Sequence, residues 1–148
     1  MTEHWFYHLE SAPIEAVLPN LLEKSIEKGW RVLVKTDDEG LSYFDDFLWS
    51  YRDDSFLPHG RDDEPQADQN PIILSTNGSG AQGADVVFIT DGSDMENLDG
   101  VQRCIFLING RSEQAVNEAR ARWTRLKKFE ADMSYWQQTD RGGWEKKA

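Results

Sequence analysis

The sequence predicts a three-layer α/β fold, with a mostly parallel central sheet of about five strands and helices on both faces. Three observations carry that prediction. Five short apolar runs are spread along the chain, at 4–9, 31–35, 72–74, 86–89 and 104–108. Between and after them lie stretches whose apolar residues recur every three or four positions, the period of a helix with one buried face. The later runs are apolar throughout rather than alternating, the pattern of strands covered on both sides.

Each element follows from local chemistry. His4-Trp5-Phe6-Tyr7-His8-Leu9 is aromatic and short, as in a strand buried on at least one face. Ser11 and Pro13 make a helix start, and Ile14, Val17, Leu18, Leu21, Leu22 and Ile26 form its apolar stripe. Pro19 inside that stripe predicts a kink or a late start. Gly29 ends the helix, and Arg31-Val32-Leu33-Val34-Lys35 is the second strand, which completes a parallel βαβ unit. Asp37 and Asp38 favour a second helix start. Leu41, Phe44, Phe47, Leu48 and Trp49 supply its buried side, with Trp49 packed inward. Residues 50–70 are polar and form a loop, strongly acidic over 60–70. Ile72-Ile73-Leu74, Val86-Val87-Phe88-Ile89 and Cys104-Ile105-Phe106-Leu107-Ile108 are central strands. Asn109-Gly110 turns the chain, Ser112 caps, and a long helix spans about 113–130, before a tail with little periodicity.

The chain has 148 residues, the length of one domain, taken here as 1–148, with 16 Lys and Arg against 27 Asp and Glu. The net charge of −11 argues against a surface built for nucleic acid, because phosphates repel it. Residues 1–110 hold 7 basic and 21 acidic residues, a balance of −14, whereas 111–148 hold 9 and 6, a balance of +3. Most of the basic excess lies in Arg111, Arg120, Arg122, Arg125, Lys127 and Lys128. A basic helix on an acidic body suits a small anionic ligand or an acidic segment of a partner. No apolar run nears the ~20 residues of a membrane helix, so a soluble, cytoplasmic protein is expected. The single cysteine, Cys104, permits no internal disulfide and no multi-cysteine metal site.

Few motifs support catalysis. Gly78-Ser79-Gly80-Ala81-Gln82-Gly83 has the spacing of a dinucleotide loop, but a strand starts at once after it, and no helix N-terminus is left to hold a pyrophosphate. His4 and His8 on one strand stand ~13 Å apart, too far to share a metal. Asp85, Asp91 and Asp94 could hold Mg²⁺ for phosphoryl transfer or nucleotide binding, and they carry the rival enzymatic reading. Asp91-Gly92-Ser93-Asp94 is equally good turn chemistry, and this is the preferred reading. No cofactor is expected.

Two stretches resist a purely structural account. Leu48 to Gly60 carries Trp49, Tyr51, Phe56, Leu57 and Pro58, more apolar surface than a solvated loop wants. In the last helix Arg120, Trp123, Thr124 and Lys127 share a face, where an aromatic beside guanidinium and ammonium groups suits a carboxylate next to an apolar side chain. The tail adds Tyr135-Trp136-Gln137-Gln138 and Gly142-Gly143-Trp144-Glu145-Lys146-Lys147-Ala148.

These stretches, with Phe6-Tyr7-His8-Leu9, Gly29-Trp30-Arg31-Val32-Leu33-Val34 and Ser55-Phe56-Leu57-Pro58-His59, resemble the chi subunit of bacterial DNA polymerase III holoenzyme along the whole chain. The resemblance implies a Rossmann-like α/β subunit that catalyses nothing. Such a subunit bridges the clamp loader, through the psi subunit, to the acidic C-terminal tail of single-stranded-DNA-binding protein. It places Trp49, Phe56, Leu57, Pro58 and His59 in a psi-facing patch, Arg120 on the tail's terminal carboxylate, Trp123 beside it and Trp144 as a further wall. A lysine that assists Arg120 elsewhere in the family falls on Val116 here, so Lys127 or Lys128 is expected to take its place.

Overall fold

The computed structural model describes residues 2–10, 12–50, 58–65, 69–78, 83–93, 98, 100–139 and 143–148. Within them lie β1 (Glu3–Leu9), α1 (Ile14–Glu27), β2 (Val32–Lys35), α2 (Asp38–Ser50), β3 (His59–Arg61), β4 (Ile72–Ser75), β5 (Val86–Ile89), β6 (Arg103–Asn109), α3 (Glu113–Lys128), β7 (Asp132–Gln138) and β8 (Trp144–Lys146). The strands form one sheet in the order β3-β4-β2-β5-β6-β1-β7-β8, and every neighbouring pair is parallel except β7 with β8. β1 and β2 run parallel as the βαβ pattern predicts, but β5 and β6 stand between them.

The sheet has eight strands where about five are expected, and the additions are β3, β7 and β8. β3 and β8 have three residues each, too few for a period to show. Residues 59–61 are therefore an edge strand rather than part of a loop. In β7, Met133 and Tyr135 pack with the α3 side of the core, while Ser134 and Gln138 are buried on the other side. Polar and aromatic residues on both faces hide the alternation.

The helix starts follow the capping chemistry. Pro13, extended at φ −73° and ψ 162°, caps α1, and Ser11 lies outside the described residues. α1 begins at Ile14 and continues through Pro19, which is buried between Leu18 and Leu22. The proline forgoes one backbone bond, to the carbonyl of Glu15, and the buried leucines beside it offset that loss. Gly29 leaves the helix at φ +78°, a conformation open to glycine. The Ser112 hydroxyl accepts from the Ala115 amide at 3.2 Å and caps α3 as predicted, while Asp37, expected at the α2 start for its charge, also accepts from the Gly40 amide at 2.7 Å.

Successive strand residues point to opposite faces, and the core divides accordingly. Val32, Val34, Ile72, Leu74, Val86, Phe88, Ile105 and Leu107 meet Leu18 and Leu22 of α1 and Leu41, Phe44 and Leu48 of α2. Phe6, Leu33, Ile73, Val87, Ile89, Phe106 and Ile108 meet Ala119 of α3, with Trp123 and Leu126 packed alongside. Phe6 has no exposed surface and stands near the middle of this second cluster, so its truncation to alanine would cost about 3–5 kcal/mol. The β6–α3 turn comes so close to β1 that a Cβ on Gly110 would collide with the Leu9 carbonyl and the His8 ring.

Candidate functional site

α3 lies across the sheet with Trp123 edge-on to Phe6 at 5.3 Å and edge-on to Tyr135 of β7 at 5.8 Å. Tyr135 in turn stacks on Phe6 at 5.9 Å, so helix and sheet meet through a cluster of three rings. Outside that cluster opens a pocket of about 720 Å³. α3 gives it Arg120, Trp123 and Thr124, β1 gives His8, and β7 gives Tyr135 and Gln137. The chain after β8 adds Lys147 and Ala148. The floor is aromatic, and among the described residues Arg120 and Lys147 are its permanent cations.

The polar walls are held by a short network. His8 Nε2 lies 3.3 Å from a Glu10 carboxylate oxygen, and Nδ1 lies 2.7 Å from the Tyr135 hydroxyl. An Nε2–H that donates to Glu10 leaves Nδ1 as the acceptor from Tyr135. Gln137 donates to the same Glu10 oxygen at 2.6 Å. Burial pushes the Tyr135 phenol above its usual range, against the opposing effect of the Arg120 guanidinium, so the group stays neutral near pH 7. The Thr124 hydroxyl donates to the Arg120 carbonyl at 3.0 Å and is thereby occupied.

Several expected residues stand elsewhere. Lys127 and Lys128 are exposed on α3, but neither lines the pocket, and the second cation is Lys147. Val116 is half-buried against the core, an environment where a lysine would be poorly solvated. Arg122 is buried at 9% exposure and is not part of the ligand-facing charge: it donates to the carbonyls of Gly92 and Ser93 at 2.7 and 2.9 Å. Trp144 is not a wall of the pocket, because its ring stacks on Tyr7 at 4.7 Å. Tyr7 packs with the α1 and α2 side of the core, on the sheet face opposite Trp123.

In the second patch, Trp49 is 53% exposed rather than packed inward. One of its faces rests on the His59 ring at 4.2 Å, and His59 is itself buried at 3% exposure. His59 Nε2 donates to Asp45, 3.1 Å from its carbonyl and 3.2 Å from its carboxylate. His59 therefore supports the Trp49 ring rather than offering itself to a partner. Pro58 is half-buried, while Phe56 and Leu57 lie outside the described residues.

The rival magnesium site does not assemble. Asp85 precedes β5 and accepts from the Arg31 amide at 2.9 Å, whereas Asp91 follows β5 and accepts from Ser93. Six residue steps of extended chain separate them by roughly 20 Å, and one cation cannot bridge that distance. Asp94 lies outside the described residues, and among the described ones no three His, Cys, Asp or Glu side chains converge on a metal position. A smaller hollow of about 140 Å³ lies at the carboxyl end of β5, between Asp91, Glu118 and Arg122. Its acidic rim and buried arginine do not suit an anion. Gly78 and Gly83 take positive φ with no helix between Gly83 and β5, and residues 79–82 lie outside the described part. Among the described residues no helix is long and apolar enough to cross a membrane.

Against known families, the chain matches the model described as DNA polymerase III chi subunit, HolC, over residues 1–134. No curated protein matches it. The matched span ends inside β7, so Tyr135, Gln137 and Lys147, which form one side of the pocket, come after it.

Proposed function

The chain belongs to the family of DNA polymerase III chi subunits, accessory subunits of the replicative polymerase, and from that premise we propose that it is a non-catalytic bridge in the cytoplasm. One side holds the clamp loader through psi, and the other holds the acidic C-terminal tail of single-stranded-DNA-binding protein. The observation that carries the second contact is Arg120 at the rim of an aromatic pocket, on a body whose first 110 residues are strongly acidic.

The mechanism is charge selection followed by apolar docking. The acidic body repels DNA, which is reached through the partner, while the local cations attract a segment of Asp residues. Arg120 clamps the terminal carboxylate with its paired N–H groups, and Trp123 and Tyr135 cover the last apolar side chain. A short tail loses conformational freedom on binding, so micromolar affinity, ~8 kcal/mol, is expected, and it weakens as salt screens the charges. On the other side, Trp49, resting on His59, and Pro58 face psi, and the resemblance assigns Phe56 and Leu57 to the same contact.

The test is an anisotropy titration of a labelled acidic peptide with an apolar last residue and a free carboxylate, beside its amidated twin. Saturable binding that amidation removes supports the Arg120 clamp. Absence of binding at high micromolar protein overturns it.

A further inference from the structure

β8 pairs antiparallel with β7, setting Trp136 opposite Lys146, Gln137 opposite Glu145 and Gln138 opposite Trp144. Cross-strand partners share a face and successive residues alternate, so Trp144 and Lys146 lie on one side of the sheet and Glu145 and Lys147 on the other. The Trp144 side is where Trp144 stacks on Tyr7, Tyr7 meets Trp5 edge-on at 6.1 Å, and Trp5 stacks on Trp136 at 5.6 Å. Main-chain bonds close the hairpin: Lys147 donates to the Tyr135 carbonyl at 2.7 Å, Tyr135 donates to the Ala148 carbonyl at 3.1 Å, and Thr139 donates to the Gly143 carbonyl at 2.8 Å. The outcome is a lysine brought to the pocket mouth from the far end of the chain.

We infer that β8 is a strap that presents Lys147 to the acidic side chains of a bound peptide, held in register by Trp144 from the opposite face of the sheet. This rests on the peptide-binding reading above and names the second cation of that site. Lys147 is 46% exposed and its ammonium lies 3.4 Å from the Glu145 carboxylate. Glu145 is thus a resident anion that an incoming acidic peptide displaces. Trp144 touches no ligand; it is a positioning residue. Arg120 is carried by α3 and Lys147 by the chain after β8, so the two cations answer to different parts of the fold.

The test titrates the full chain with the free-carboxylate acidic peptide and with a twin whose Asp residues are replaced by Asn. Lys147→Gln lowers affinity for the acidic peptide about three- to fivefold and leaves the Asn twin unchanged, the scale of an exposed charge contact. It also flattens the salt dependence, which a purely structural change would not do. Glu145→Gln raises affinity about twofold. Trp144→Ala weakens binding as Lys147→Gln does and adds nothing in the Lys147→Gln background, whereas Trp144→Phe, which keeps a stacking ring, binds like the parent.

Should Trp144→Ala fail to fold, the two surface variants still decide the matter. Parent-like binding and salt dependence in Lys147→Gln, with Arg120→Ala still weakened, overturn the strap and leave the carboxylate clamp standing. A parent chain that binds neither peptide overturns the peptide reading and the strap together.

Discussion

Arg120 and Arg122 stand two positions apart on α3, and their guanidinium groups serve different structures. Arg120 lies at the rim of the aromatic pocket, whereas Arg122 lies 4.4 Å over the Phe106 ring and donates to the carbonyls of Gly92 and Ser93. Residues two apart on a helix never share a face, so the two can be separated by mutation. Arg120→Ala is expected to weaken binding of the acidic peptide at least tenfold, by removal of a charge-assisted pair, with the melting temperature nearly unchanged. Arg122→Ala is expected to destabilise the fold by about 2–4 kcal/mol, because two carbonyls and a packed side chain lose their partner. Its folded fraction should keep the parent affinity. Thermal melts beside peptide titrations on both variants check the division, and peptide loss confined to Arg122→Ala would reverse the assignment.

The Trp49 and His59 pair makes the corresponding prediction for the other side of the molecule. Trp49 has one face on His59 and much of the rest exposed, and the proposed function assigns that exposed surface to psi. Trp49→Ala should abolish co-purification with psi, while peptide affinity stays at the parent value and stability falls by less than about 1 kcal/mol. His59→Ala should cost about 1–3 kcal/mol, because it removes a buried ring together with its N–H contact to Asp45. Psi retained by Trp49→Ala would show that the patch lies elsewhere.

The helical side of the pocket could be read from the chain because it is local. A period of 3.6 puts Arg120, Trp123 and Thr124 on one face whatever the rest of the fold does. The same rule explains the error at Trp49. It follows Leu48 on α2 by about 100°, which turns it off the stripe that buries Leu41, Phe44 and Leu48. Lys147 and Trp144 were not readable, since their faces depend on the register of β8 against β7 and of β7 against β1, and a slip of one residue exchanges the faces. The β7–β1 pairing joins residues more than 120 positions apart, and β8, though close to β7 in the chain, has too few residues for a period to show. β1, β2, β4, β5 and β6 were plain because they are apolar runs bounded by turn residues. β3 was hidden within an acidic stretch.

His4 gives the fold a pH-dependent component. Burial lowers its pKa from the ordinary 6.5, the Arg122 charge lowers it further, and Asp132 opposes both. Its ring stacks on Phe106 at 6.3 Å, and among the described residues Nδ1 has no hydrogen-bond partner. The unfolded chain therefore takes up a proton at a higher pH than the folded one. Stability is full above about pH 6.5, falls as pH drops through that value, and levels off below the folded pKa. Melting temperatures measured from about pH 7.5 to 5.5 should decline, and His4→Gln should flatten that decline. An equal slope in both proteins would remove His4 as the cause.

Tyr135 separates the ring of the pocket from its hydroxyl. The ring stacks on Phe6 and meets Trp123 edge-on, so Tyr135→Ala opens the floor of the site and should lower peptide affinity at least tenfold along with stability. The hydroxyl is occupied by His8 Nδ1 at 2.7 Å, and its loss in Tyr135→Phe should cost about 1 kcal/mol of stability, with peptide affinity within about twofold of the parent. Burial raises the phenol pKa of Tyr135, and of Tyr7 likewise, so the unfolded chain ionises first as pH rises past 10. Stability is then full below about pH 10 and declines above it, and Tyr135→Phe should shorten that alkaline decline. The variant's melting curve at pH 7 and its alkaline unfolding profile check both parts. A tenfold affinity loss in Tyr135→Phe would instead make the hydroxyl a direct contact of the peptide.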